Sequence, residues 1–225
     1  MGDVFLLIPS PLLGPATWRP VEAWLRAQGH QAQAVDFGAQ PRTSRGVVDA
    51  IVAVAERQAV VLVPHSNAGL YAPYLASLVD VAATVFVDAA LPVPEDEHGE
   101  TQLAPAAFMD FLRSLADEHG VLPQWTGWWD DAGDLFPDTS VRQAVEREQQ
   151  RFPLSYFTSR VPVPSGWTER PAAYLAFGET YAEERERAAR LGWPTRTMAG
   201  QHLHALHDPA AVGASILDLS RGTSA

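Results

Sequence analysis

The stretch AVVLVPHSNAG, residues 59–69, decides the fold. Its first five residues are apolar whichever face they point to, which is typical of a central strand in a parallel sheet. A helical pattern over residues 67–78 follows almost at once. Ser66 therefore stands at a tight turn from a buried strand into a helix. Such a turn holds a serine in a strained backbone, with its hydroxyl projecting above the sheet.

The same strand-to-helix rhythm continues on both sides of this stretch. Short apolar or β-branched runs alternate with helical stretches, and this alternation predicts an α/β protein with a doubly wound, mostly parallel sheet. The predicted strands are Val4–Ile8, Gln31–Phe37, Ala59–Val63, Thr84–Val87, Ala172–Phe177 and Thr195–Met198.

Residues 93–167 interrupt the rhythm. They contain helical patterns at Ala104–Glu118 and Val141–Arg151 but no convincing strand. This predicts a helical cap inserted into a core that is formed by residues 1–92 and 168–225. The middle of the cap carries three tryptophans, Trp125, Trp128 and Trp129. Two interpretations of them remain open: they line an apolar substrate pocket above Ser66, or they pack the cap onto the core.

Composition excludes several classes of function. The 225 residues suffice for one well-buried core, and the net charge is −11. All 16 basic residues are arginine, so no lysine can form a Schiff base or hold a phosphate loop. The acidic balance argues against nucleic acid as a partner. The chain has no cysteine and no stretch typical of a signal peptide or membrane span, so a cytoplasmic location without membrane contact is expected.

Residues 64–69, PHSNAG, resemble the nucleophile elbow G-x-S-x-G of the α/β-hydrolase fold. The resemblance implies that Ser66 is the nucleophile and that the backbone N–H of Asn67 is one donor of an oxyanion hole. Pro64 replaces the first glycine, and Ala68 stands at the second glycine position, with Gly69 one residue later. The competing interpretation is a serine that caps the following helix.

The resemblance also implies a catalytic histidine on the loop after the last strand, seven residues before a proline that opens the final helix. His202 stands seven residues before Pro209. A neutral imidazole there can accept the serine proton and pass it to the leaving group. The run H-x-H-x-x-H over residues 202–207 invites comparison with a metal site, but no set of acidic or cysteine ligands completes it, and no metal is expected.

The third member of a triad stays open between two carboxylates. In the α/β-hydrolase fold the acid usually follows the strand that corresponds to Ala172–Phe177. In this chain Tyr181 stands at the expected position, and Glu179 is the nearest carboxylate. The other known position is the end of the strand before it, where this chain has Asp88. Asp88 is the preferred candidate and Glu179 the second choice. A structural carboxylate that caps nearby N–H groups is the alternative for Asp88.

The loop after the first strand departs from the resembling fold. Its second oxyanion donor would fall on Pro11, which has no N–H. Leu12 is the expected replacement, or the hydroxyl of Ser10 assists. We expect the substrate to be bordered by the three cap tryptophans and by Ser10, Pro11 and His65.

The combined expectation is a serine hydrolase for an ester, lactone or thioester of a small apolar molecule. It would use Ser66, His202 and Asp88 through an acyl-enzyme, with no cofactor. The alternative is a lyase, cyclase or isomerase in which His202 acts as a base without an acyl intermediate. The departures in the oxyanion loop also leave a binding protein open. A homodimer is the expected assembly if the chain associates with another protein.

Overall fold

The computed structural model describes residues 4–38, 43–55, 58–93 and 99–223. The strands are β1 (Val4–Ile8), β2 (Gln31–Ala34), β3 (Val60–Ser66), β4 (Val81–Ala89), β5 (Glu100–Gln102), β6 (Arg160–Pro162), β7 (Ala172–Phe177) and β8 (Thr195–Met198). The α-helices are α1 (Arg19–Ala27), α2 (Ser44–Val54), α3 (Ala72–Leu78), α4 (Ala106–Leu115), α5 (Thr139–Glu146), α6 (Leu154–Phe157), α7 (Ala182–Arg190), α8 (His204–His207) and α9 (Pro209–Gly222).

Six of the strands form one sheet in the order β2-β1-β3-β4-β7-β8. Every neighbouring pair in it is parallel. Chain order reverses at β1, because the sheet grows outward from β1 in both directions. This arrangement confirms the predicted doubly wound α/β fold. The carboxyl ends of β1, β3, β4, β7 and β8 all meet at one edge, where ligands bind in sheets of this kind.

Helices cover both faces of the sheet, and the alternation of side chains along β1 shows the two layers. Phe5 and Leu7 pack in one apolar cluster with residues of α1 and α9. Leu6 and Ile8 point to the opposite face and pack with residues of α2 and α3. Both faces are buried because a parallel strand between two helical layers has no contact with water.

Several elements differ in extent from their predicted bounds. β3 continues three residues past the predicted end, to Ser66, and β4 is longer than predicted at both ends. β2 ends three residues early, at Ala34. The predicted helix over residues 67–78 begins as a 3₁₀ turn at Asn67–Tyr71 before α3 starts. Strand ends depend on pairing with neighbours, which the apolar pattern does not contain.

The expectation of an insertion without strands was wrong. β5 and β6 pair antiparallel, with Thr101 opposite Val161, and form a separate two-stranded sheet. Each strand has three residues, which is too short to show a two-residue alternation. The division into a core and a cap at residue 93 stays a prediction, and residues 94–98 beside that boundary lie outside the described part.

Glu148 joins the 93–167 segment to the loop after β1. Its carboxylate accepts a hydrogen bond from the Ala16 N–H at 2.6 Å and forms an ion pair with Arg19. The backbone of Gly14 passes so close that a Cβ there would lie 2.9 Å from the Glu148 Cβ. Within the described ranges, no helix is long and apolar enough to cross a bilayer.

Candidate active site

Ser66 adopts a left-handed backbone conformation at the end of β3. Its φ and ψ are 58° and −131°, values that L-residues other than glycine rarely adopt and that cost of order 1–3 kcal/mol. The chain turns at once into the 3₁₀ turn and α3. This turn also needs Gly69, because a Cβ there would lie 2.1 Å from the carbonyl oxygen of Ala90. The chain therefore bends sharply at Ser66, and Gly69 allows the turn to pack closely against Ala90, which follows β4.

Asp88 is the extra residue of a bulge in the neighbouring strand. His65 pairs with Val87 and Ser66 pairs with Ala89, so Asp88 has no partner across the ladder. Its φ is 41°, and in the part of the chain that the structure describes only Ser66 and Asp88 have a positive φ without being glycine. A bulge changes the direction of a side chain, and here it directs a fully buried carboxylate to the sheet edge.

Tyr174 satisfies the backbone beside this bulge. Its hydroxyl accepts a hydrogen bond from the Ala89 N–H at 3.0 Å and donates one to the Ala89 carbonyl at 2.7 Å. Burial raises the pKa of Tyr174 far above its ordinary value, with the nearby Asp88 carboxylate as the next cause. A tyrosine that keeps its proton can bind both the N–H and the carbonyl of Ala89, the residue that follows the bulge.

His202 and Asp88 form a buried pair. Nδ1 of His202 lies 2.6 Å from Oδ2 of Asp88, and Oδ1 of the same carboxylate accepts the Phe177 N–H at 2.9 Å. The carboxylate is an acceptor, so the proton of a neutral imidazole sits on Nδ1 and Nε2 keeps a free lone pair. An imidazole that is to accept the proton of Ser66 on Nε2 must have this tautomer.

His65 holds the histidine loop against the elbow. Its Nε2–H donates to the carbonyl of His202 at 2.9 Å, and the two rings stack with centroids 4.5 Å apart. Burial lowers the pKa of His65 well below its ordinary value, and the neighbouring His202 adds to this effect. His65 is therefore a neutral structural donor beneath the site.

The hydroxyl of Ser66 contacts Tyr181. The two oxygens lie 3.3 Å apart, and among the hydrogen bonds of the described residues none joins Ser66 Oγ to His202. Catalytic hydrogen bonds of this type often tighten only when substrate is bound. The ring of Tyr181 also lies beside that of His202, with centroids 5.6 Å apart. The structure thus brings Ser66, His202 and Asp88 to one edge, with Tyr181 as a further neighbour.

The two residues expected to supply the oxyanion donors, Leu12 and Asn67, have different surroundings. The Leu12 N–H has a long hydrogen bond of 3.4 Å to the hydroxyl of Ser10, which is itself buried. The side chain of Asn67 is held on both sides, because Nδ2 donates to the Leu103 carbonyl at 2.8 Å and Oδ1 accepts the Tyr156 hydroxyl at 2.9 Å. The 93–167 segment therefore fixes the side chain of the residue that follows Ser66.

A cavity of about 630 Å³ opens above Ser66 and His202. Its wall includes Leu12 and Asn67 and all three of the predicted tryptophans. Trp125 and Trp128 are buried, whereas Trp129 is 40 % exposed at the rim. Among the described residues of the wall are many apolar side chains, one carboxylate, Glu184, and no arginine.

Three residues expected to border the substrate lie elsewhere. Ser10 and His65 are buried outside the described wall of this cavity, and Pro11 lines a separate cavity of about 780 Å³ that does not include Ser66. Glu179, the second choice for the acid, has a 76 % exposed side chain and pairs with Arg185. The structure does not bring Glu179 to His202.

Sequence reasoning missed the roles of the tyrosines around the site. Tyr181 was visible as the residue that stands where an acid is usual, but no pattern indicated that its hydroxyl reaches Ser66. Tyr174 belongs to a buried strand, where a tyrosine is a common core residue, so nothing distinguished it.

Solved structures share this architecture over nearly the whole chain. An extracellular α/β-hydrolase from a Paenibacillus species superposes with a TM-score of 0.79 at 16 % identity, covering 98 % of this chain and 100 % of that one. Tomato methylketone synthase I reaches 0.76 at 12 % identity, covering 100 % and 99 %. The chain has the α/β-hydrolase fold. A polyneuridine aldehyde esterase with this fold gives 0.72 at 14 % identity, covering 97 % and 99 %.

The sequence is also similar to curated plant proteins. It is 36 % identical over 130 residues to the protein named "Probable esterase PIR7A" from rice, Oryza sativa subsp. indica, and the match covers 48 % of this chain and 49 % of the rice protein. The chain thus spans about half the length of the curated relatives it matches. The japonica protein matches to the same extent. No family model matches the sequence.

Proposed function

We propose that the chain is a serine esterase that acts on an ester, lactone or thioester of a small apolar molecule through an acyl-enzyme. The observation that carries this proposal is the buried 2.6 Å contact between His202 and Asp88 at the edge where Ser66 sits in a left-handed turn. The similarity to a rice protein that is named an esterase supports the same reaction class.

In this mechanism Ser66 attacks the acyl carbon while its proton passes to Nε2 of His202. The new Oγ–C bond gives a tetrahedral intermediate, which is stabilised by backbone N–H groups at Asn67 and Leu12. The bond to the alcohol then breaks, and His202 returns the proton to the alcohol oxygen. Water, activated by the same imidazole, cleaves the acyl-enzyme and regenerates Ser66. Asp88 holds Nδ1 of His202 throughout and stabilises the transient imidazolium.

The cavity wall supports an uncharged acyl group. Among the described residues of the wall, Glu184 is the carboxylate, and burial raises its pKa. A carboxylate there repels an anionic substrate. The described residues of the wall include no arginine that could pair with such a substrate. The tryptophans instead offer flat apolar surfaces over the site.

The test is intact-mass spectrometry after incubation with a fluorophosphonate, followed by an assay with p-nitrophenyl esters. Wild type is expected to gain one adduct. Ser66→Ala is expected to gain none and to lose about 10³-fold or more of its esterase rate. Ser77→Ala, an exposed serine on α3 whose hydroxyl bonds only the local Tyr74 carbonyl, is the matched control and keeps both properties. A folded wild type without an adduct would count against the acyl-enzyme.

A non-hydrolytic reaction with His202 as the base is the second candidate. The observation in its favour is the loop after β1, where Pro11 has no N–H and the Leu12 N–H is directed to Ser10. A weak oxyanion hole costs a hydrolase about 10²–10³-fold per missing donor. Turnover that survives Ser66→Ala and disappears in His202→Ala would favour this candidate over the esterase.

A further inference from the structure

Tyr181 is a polar group at the reaction centre that the proposed mechanism does not use. It follows β7 and immediately precedes α7, so its backbone is set by two regular elements. Its hydroxyl lies 3.3 Å from Ser66 Oγ, and its ring lies beside the imidazole of His202. Burial raises the pKa of this phenol well above its ordinary value, so Tyr181 keeps its proton at neutral pH and its hydroxyl is able to donate a hydrogen bond.

The strand order places Tyr181 opposite the oxyanion loop. Leu12 comes from the loop after β1, on one side of the nucleophile strand β3, whereas Tyr181 follows β7, on the other side and beyond β4. His202 follows β8 and lies on the same side as Tyr181. The leaving oxygen of an ester must face His202 to receive its proton. The Tyr181 hydroxyl is therefore on the leaving-group side of Ser66.

We propose that Tyr181 is a catalytic residue whose hydroxyl donates a hydrogen bond to the alcohol oxygen of the substrate as its bond to the acyl carbon breaks. This inference rests on the proposed esterase function. In the collapse of the tetrahedral intermediate, the C–O bond electrons pass to the alcohol oxygen and His202 delivers the proton to it. Tyr181 keeps its own proton and lowers the energy of the charge that develops there.

This role predicts a specific dependence on the substrate. An alcohol with a high pKa carries more negative charge on its oxygen when the bond breaks than a nitrophenol does. The hydrogen bond from Tyr181 therefore matters most for alkyl esters and least for activated aryl esters.

The test compares wild type, Tyr181→Phe and the control Tyr74→Phe on p-nitrophenyl, phenyl, trifluoroethyl and ethyl acetates. The phenylalanine keeps the ring and removes only the hydroxyl, and Tyr74 lies on α3 outside the described wall of the cavity. The kcat/KM of Tyr181→Phe is expected to fall by under about three-fold on the p-nitrophenyl ester and by about 10²-fold on the ethyl ester. Labelling by a fluorophosphonate, whose fluoride needs no proton to leave, is expected to stay within about three-fold of wild type.

Each other outcome contradicts the inference in a distinct way. An equal loss on all four esters would give Tyr181 a purely structural role, and no loss on the ethyl ester would remove it from the reaction. A slower fluorophosphonate reaction with an unchanged dependence on the alcohol would place its effect on the nucleophile. If wild type neither hydrolyses any ester nor forms the adduct, the esterase proposal itself fails and this inference falls with it.

Discussion

Replacing Asp88 by asparagine should abolish the proposed esterase activity by moving the imidazole proton of His202 from Nδ1 to Nε2. The structure determines how the new amide would sit, because the Phe177 N–H donates to Oδ1 of Asp88 at 2.9 Å. The amide oxygen must keep that position, so the NH₂ group takes the place of Oδ2, 2.6 Å from Nδ1 of His202. Two donors cannot face each other, and Nδ1 must become an acceptor.

The proton of the imidazole then moves to Nε2, the nitrogen that should accept the proton of Ser66. The same exchange in a serine-protease triad lowers kcat by about 10⁴-fold, and we expect a loss of that order here. At about 1.4 kcal/mol for each factor of ten, this corresponds to a barrier about 5.5 kcal/mol higher. The volume of the side chain is unchanged, so a large change in the fold is not expected.

The assay is the kcat of p-nitrophenyl acetate hydrolysis, with circular dichroism to verify folding. Glu179→Gln is the matched control, since Glu179 is the other carboxylate that the sequence offered as the acid. Its side chain is exposed and pairs with Arg185, so the rate should change by less than about two-fold. Asp88 does not orient His202 in catalysis if Asp88→Asn keeps more than about a tenth of the wild-type rate, or if Glu179→Gln loses as much as Asp88→Asn.

Two further predictions concern stability. The pKa of His65 is lowered in the folded chain, so the unfolded chain takes up a proton first as pH falls. The contribution of His65 to the free energy of unfolding is therefore complete above about pH 6.5, the ordinary pKa of histidine. Below that pH it is lost, at a rate that approaches about 1.4 kcal/mol per pH unit. Denaturant unfolding between pH 7 and 5 should show that the free energy of unfolding falls less steeply for His65→Gln than for wild type. The control His119→Gln, which changes an exposed histidine, should behave like wild type. Equal slopes for all three proteins would contradict this. Gly69→Ala places a Cβ 2.1 Å from the Ala90 oxygen, and we expect a loss of about 1–3 kcal/mol, or several degrees in Tm, by calorimetry. Gly127→Ala, whose Cβ would lie 3.6 Å from Pro123, should cost less, and equal costs would argue against the steric explanation.

The sequence alone was sufficient for the fold and for two of the candidate catalytic residues. A strand that is apolar on both faces is typical of the centre of a parallel sheet, so residues 59–63 predicted such a sheet, and the turn after them indicated Ser66. His202 was indicated by its position seven residues before Pro209, the proline that opens the final helix. These signals are local, because each depends on residues that are neighbours in the chain.

Tertiary structure alone decided between Asp88 and Glu179 as the partner of His202. Both carboxylates lie near strand ends, and the sequence could rank them but not separate them. The decision depends on the bulge between β3 and β4, which leaves Asp88 unpaired and directs its side chain to His202. The contact of Tyr181 with Ser66 likewise joins residues 115 positions apart. Such contacts arise from strand pairing across the sheet, which hydrophobic periodicity does not specify.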